Sequence, residues 1–159
     1  TLLIGVTYAL LDFAAGHQMK LNNTVVMETG GMKGRREELT RAEVQGILKE
    51  KLGLTRVHSE YGMTELLSQA YSLGEGIFKC PPWMKMLLRA EDDPFELTIP
   101  ENMTMESKGG VTNIVDLANL YSCSFIATDD IGKLYRNGDF EISGRLDNSD
   151  IRGCGLMIT

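Results

Sequence analysis

The stretch His58-Ser59-Glu60-Tyr61-Gly62-Met63-Thr64-Glu65-Leu66 decides how the chain is read. Arg56 to Glu60 has the pattern of a short strand or its exit. Gly62 allows a tight turn, and Thr64 and Glu65 are residues that open helices. The same alternation recurs upstream. Thr1-Leu2-Leu3-Ile4-Gly5-Val6 reads as a buried strand, and Tyr8 to Ala15 is compatible with a helix. Thr24-Val25-Val26-Met27 is a short apolar run leading to the Gly30-Gly31 turn. Thr40 to Leu52 is the clearest helix. Thr40 and Glu43 form a capping box, Val44, Ile47, Leu48 and Leu52 make one apolar stripe, and Gly53 ends it in a left-handed turn. Strand–turn–helix alternation implies a parallel or mixed sheet with functional groups at the strands' C-terminal ends.

Beyond Ser72 the texture changes. Cys80-Pro81-Pro82-Trp83 reads as a rigid corner with an aromatic core anchor. Met84 to Arg89, Val111 to Val115 and Phe125 to Thr128 are strand-like, whereas Asp92-Asp93-Pro94 and Glu101 to Gly110 read as turns or a mobile loop. Lys133 to Arg136 and Asp139 to Ser143 suit a hairpin, and Asn137-Gly138 suits a two-residue turn with positive φ at both positions. The expected class is α/β, with a small β-rich, distorted barrel-like subdomain packed after the α/β half. The expected segments are 1–75, 76–146 and a tail at 147–159.

Composition bounds the function. The 159 residues carry a net charge of −6, which argues against a nucleic-acid partner. No apolar run approaches the roughly 18 residues of a membrane span. Three cysteines, Cys80, Cys123 and Cys154, lack metal-type spacing and fit a reducing, cytoplasmic setting. The chain opens inside an apparent core strand without an initiator Met, as expected of a piece of a longer protein.

The residues after the deciding strand carry chemistry. Tyr61 can stack on a purine, and Gly62 removes a side chain where backbone must approach a ligand. Thr64 offers a hydroxyl to a phosphate oxygen, and Glu65 offers a hard oxygen to Mg²⁺. The competing structural reading is a tight turn followed by a helix start.

Tyr61-Gly62-Met63-Thr64-Glu65 resembles the Tyr-Gly-x-Thr-Glu motif of the adenylate-forming superfamily, which includes acyl-CoA synthetases and peptide-synthetase adenylation domains. Thr128-Asp129-Asp130-Ile131-Gly132 resembles that superfamily's Thr-Gly-Asp segment, and Gly144-Arg145-Leu146-Asp147 its Gly-Arg-x-Asp segment, in the family's order. Gly30-Gly31 resembles the turn lining the acyl-adenylate pocket. The resemblance implies that the chain is the C-terminal portion of the large domain of such an enzyme. It implies nucleotide contacts at Gly30, Gly31, Tyr61, Gly62, Thr64, Asp130 and Arg145, Asp130 taking the ribose hydroxyls and Arg145 the ribose or phosphate side. Asp147 resembles the hinge to a lid. Asp129 departs from the family Gly and adds a negative charge beside the ribose site.

Within the superfamily, His58 to Leu66, Asp116-Leu117-Ala118-Asn119-Leu120 and Asp147 to Cys154 are most similar to the LuxE-type acyl-protein synthetases, relatives of phenylacetate-CoA ligases. That branch forms acyl-AMP from a fatty acid and holds the acyl group on a cysteine near its C-terminus. The resemblance implies ATP and Mg²⁺ as cofactors and a carboxylic acid as substrate. The acceptor would be an acyl-accepting protein, a reductase or CoA. Thr64, Glu65 and Cys154 are the implied catalytic residues, with Glu65 facing the metal. Arg152 beside Cys154 favours a thiolate. The loop gripping the β and γ phosphates is expected before Thr1, so residues 1–159 alone are expected to lack adenylation activity. An aryl- or acyl-CoA ligase and a non-catalytic docking module remain alternatives. Lys33, Arg35 and Arg36 read as a solvated segment, His17 and His58 lack partners for zinc, and Asp116 and Asn119 read as structural hydrogen-bonders.

Overall fold

The computed structural model describes residues 1–17, 19–31 and 39–146. The expectations for Lys33, Arg35, Arg36, Asp147, Arg152 and Cys154 fall outside the described residues.

Strands β1 (Leu2–Val6), β2 (Val25–Thr29) and β3 (His58–Tyr61) lie parallel, with Ile4, Met27 and His58 in one register row. Helices α1 (Thr7–Gly16) and α2 (Arg41–Leu52) cover one face of these strands. Leu10, Leu11, Ala14, Val44, Leu48 and Leu52 close a dry core there around Val26. Helix α2 forms for the reasons visible in its sequence. Thr40 and Glu43 make the reciprocal capping box, and Gly53 closes the helix at φ 65°. The opposite face of β1 and β2 is apolar and open, with Leu2, Ile4 and Val25 each 43–58% exposed.

The sheet then turns antiparallel. It continues through β4 (Ala70–Ser72), β5 (Phe78–Lys79), β6 (Met84–Arg89), β7 (Leu97–Thr98), β8 (Ser107–Asp116), β9 (Phe125–Tyr135) and β10 (Phe140–Arg145). Among the described residues, ten strands form one sheet in the order β1-β2-β3-β4-β5-β10-β9-β8-β6-β7. The β-rich half is thus joined to the α/β half by hydrogen bonding across β3, β4, β5 and β10, not stacked on it. Its core gathers Tyr61, Leu66, Phe78, Met84, Met86, Leu88, Met103, Ile114, Leu134, Phe140 and Ile142. Met84, Met86 and Met103 fill irregular space in this core, as unbranched thioethers do.

Four local expectations need correction. Thr64 and Glu65 do not start a helix: a loop returns through Leu66 to β4, antiparallel to β3. The β9–β10 turn spans three residues. The Gly138 amide donates to the Tyr135 carbonyl and the Tyr135 amide to the Asp139 carbonyl. Only Gly138, at φ 87°, is left-handed there, which matches a turn followed by a glycine bulge instead of two positive-φ residues. Glu101 to Gly110 is not all loop: a 3-10 turn occupies Pro100–Asn102, and Ser107 to Gly110 open β8. Trp83 is 53% exposed, so it anchors no core; its indole N–H instead donates to Ser68 Oγ at 2.9 Å.

Candidate functional site

The parallel strands end side by side, and this brings the first site residues together. Thr29 on β2 is paired with Glu60 on β3, and its hydroxyl donates to Glu60 Oε1 at 3.0 Å. Gly30-Gly31 therefore leaves β2 next to where Tyr61-Gly62 leaves β3. Gly30 takes φ 77°, which a side chain would strain. A Cβ at Gly62 would lie 3.1 Å from Gln69 Cγ. The Gly30 carbonyl is held from below: Thr7 Oγ1 lies 2.8 Å from it and 2.8 Å from Glu28 Oε2. A hydroxyl has one proton to give. The chain is complete when Glu28 is itself protonated, donating to Thr7 while Thr7 donates to Gly30. Burial pushes the Glu28 carboxyl above the usual range, against the pull of Thr7 and the Arg41 charge.

From much later in the sequence, β9 and β10 deliver Asp130 and Arg145, paired in register. The Tyr61 hydroxyl donates to Asp130 Oδ2 at 2.7 Å across 69 positions of sequence. Arg145 lies 3.8 Å from Asp130 Oδ1 and 3.5 Å from Asp129 Oδ2. Asp130 is 8% exposed; burial, with Asp129 beside it, raises its carboxyl above the ordinary range against the pull of Tyr61 and Arg145. The Tyr61 ring is 2% exposed and packs edge-on to Phe78 and Phe140. In this structure its hydroxyl fixes Asp130, while both ring faces are taken up by the core.

Thr64 and Glu65 follow on the loop beyond Gly62 and are exposed. An exposed carboxylate on a loop suits Mg²⁺, which takes one or two carboxylates and completes its shell with phosphate oxygens and water. Among the described residues, no three His, Cys, Asp or Glu side chains group as a self-sufficient metal site. Of the cysteines, Cys80 is half-buried and its thiol is pushed up to about 11, chiefly by desolvation. It is therefore no thiolate at neutral pH.

Two features of the site were missed from sequence. Thr128 does not point outward with its motif: its hydroxyl sits 2.6 Å from Thr112 Oγ1 and accepts from the Asp130 amide at 3.1 Å. Arg89 on β6 donates to the Thr112 and Thr128 carbonyls and to Asn113 Oδ1. It fastens β8 and β9 behind Asp130. The available signal was an arginine closing the apolar run Met84 to Leu88.

No protein-family model matches the chain, and no curated protein sequence does. Solved structures do. The chain is similar to O-succinylbenzoate coenzyme A synthetase (MenE) from Bacillus subtilis, solved with ATP and magnesium, at 18% identity and a TM-score of 0.60 over 96% of this chain and 34% of that one. ATP-bound MatB from Rhodopseudomonas palustris matches at 16% identity and a TM-score of 0.57, over 91% of this chain and 31% of that one. A mutant coronafacic acid ligase from Pectobacterium brasiliense matches at 16% and 0.55, over 95% and 30%. The chain spans about a third of the length of these structures. At such identities the likeness establishes the fold alone: a mixed α/β architecture shared with about a third of each of these enzymes, the class that the order of the motifs led one to expect.

Proposed function

We propose that the chain provides the ribose- and metal-facing wall of an ATP-dependent acyl-activating enzyme. The observation that supports this most is the meeting of Tyr61, Asp130 and Arg145, drawn from β3, β9 and β10, beside the Gly30-Gly31 turn. In the proposed reaction a substrate carboxylate attacks the α-phosphorus of ATP, giving acyl-AMP and pyrophosphate. Asp130 accepts the ribose hydroxyls, with Tyr61 holding one carboxylate oxygen and Arg145 beside the other. Arg145 also lends positive charge to the phosphate side, although Asp129 competes for it. Glu65 would hold Mg²⁺, which would offset charge on the phosphate under attack. Thr64 offers its hydroxyl to a phosphate oxygen.

The second step of the proposal is acyl transfer to a thiol, in the manner of an acyl-protein synthetase acting on a fatty acid, with Cys154 as first acceptor. Support for that step is the sequence resemblance of Asp147 to Cys154. Transfer to CoA is the second reading, favoured by the coenzyme A synthetase among the similar structures.

Titration of the chain with AMP, followed by amide shifts in NMR, tests the nucleotide reading. The expected outcome is millimolar binding that perturbs residues 30–31, 61–62, 129–131 and 144–145 and is lost in Asp130→Ala. Shifts confined to other faces, or an undiminished response in the variant, overturn it.

A further inference from the structure

The loop that presents Thr64 and Glu65 has no regular structure of its own, yet its backbone is held at the Glu65 carbonyl and at the Leu67 and Ser68 amides. The partners are two side chains about 50 residues away. Asn119 Nδ2 donates to the Glu65 carbonyl at 2.6 Å, and Asn119 Oδ1 accepts from the Leu67 amide at 3.0 Å. Asp116 Oδ2 accepts from the Ser68 amide at 2.9 Å, and its Oδ1 accepts from the Ser68 hydroxyl at 2.7 Å. The same Oδ1 accepts from the Ala118 amide at 3.0 Å, and Trp83 Nε1 donates to Ser68 Oγ at 2.9 Å. Asp116 is fully buried and Asn119 is 2% exposed. Burial opposes ionisation of Asp116, but the hydrogen bonds from Ser68 and the neighbouring amides outweigh it and hold its carboxyl below the ordinary range.

An amide side chain that reads one carbonyl and one N–H two residues apart reproduces a strand's pairing with a loop. Asp116 and Asn119 both belong to the single segment where β8 passes into the 3-10 turn Leu117–Asn119. Together they form one buried socket for the backbone that follows Glu65.

We propose that Asp116 and Asn119 are positioning residues that seat the 64–68 loop and so fix where Glu65 offers its carboxylate to a phosphate-bound Mg²⁺. This inference rests on the nucleotide-binding reading above. It separates the site into two halves with different supports. The Tyr61–Asp130–Arg145 half is built on paired strands and does not use the socket. The Thr64–Glu65 half depends on it.

The test uses the 159-residue chain in three forms: wild type, Asn119→Ala and the milder Ser68→Ala, which removes one hydroxyl of the network. Amide hydrogen exchange reads the socket without any ligand. The expected result is exchange at Leu67 and Ser68 faster by about tenfold or more in Asn119→Ala, with the Ile142 and Leu134 amides unchanged. Unchanged protection at Leu67 overturns the proposal. Binding reads the function: affinity for AMP without metal is kept in both variants, while the gain in ATP affinity on adding Mg²⁺ shrinks, more in Asn119→Ala than in Ser68→Ala. Equal losses with and without Mg²⁺ would mean a general loss of structure and overturn the positioning role. If the wild type binds neither nucleotide, the function reading falls and takes the positioning role with it. The exchange result still decides whether the socket orders the loop.

Discussion

At the scale of single residues, the site combines acids whose environments push them in opposite directions. Glu28 and Asp130 are raised by burial, whereas Asp116 is lowered by the donors around it. For a raised acid, the protonated form is favoured in the folded chain. Glu28 thus contributes stability that is fully present below its unfolded value, about 4.3, and lost as pH rises through its folded value. Glu28→Gln keeps a donor for Thr7 and an acceptor but cannot ionise. Its expected effect is a smaller loss of stability than the wild type shows as pH rises above that unfolded value, read as Tm against pH. A Tm profile parallel to that of the wild type would mean that Glu28 is not held protonated beneath the Gly30 turn. Asp116 has the opposite sign: its contribution is present above the unfolded value and disappears as pH falls through the lower folded one.

At the scale of elements, legibility followed range. Helix α2 and its two ends were readable because the capping box, the apolar stripe and Gly53 act within a few residues of one another. The β9–β10 hairpin was readable as a hairpin, but not its turn, since Asn137 stays out of the left-handed region and the loop takes three residues. The loop after Tyr61 was misread for a physical reason. Thr64-Glu65-Leu66-Leu67 has the local pattern of a helix start, and the bonds that override it come from Asp116 and Asn119. Gly132 shows the same dependence on distant neighbours. A Cβ there would meet the Glu141 carbonyl oxygen at 2.6 Å and Thr112 Cγ2 at 3.0 Å. Gly132→Ala should therefore cost about 1–3 kcal/mol in urea unfolding, because backbone on β10 must shift. It should also displace Asp130, two residues away, and weaken AMP binding. A variant as stable as the wild type would show that the β9–β10 pairing can absorb the methyl group.

At the scale of the whole molecule, the order of motifs along the chain identified the fold, but the meeting of Tyr61 with Asp130 could not be read from spacing. It depends on β10 inserting between β5 and β9, so that the last strand among the described residues lies near the middle of the sheet. That strand carries Arg145 and pairs with both β5 and β9. The open side of β1 and β2 has a practical consequence. Parallel strands are ordinarily sealed on both sides, and here Leu2, Ile4 and Val25 meet water together. A purified sample should bind the dye ANS while fully folded and self-associate as its concentration rises. Ile4→Lys should lower dye fluorescence and keep the sample monomeric with its Tm nearly unchanged, since position 4 leaves no cavity behind. Whoever handles this chain in a tube will be working with an adhesive slab, and one lysine is the expected remedy.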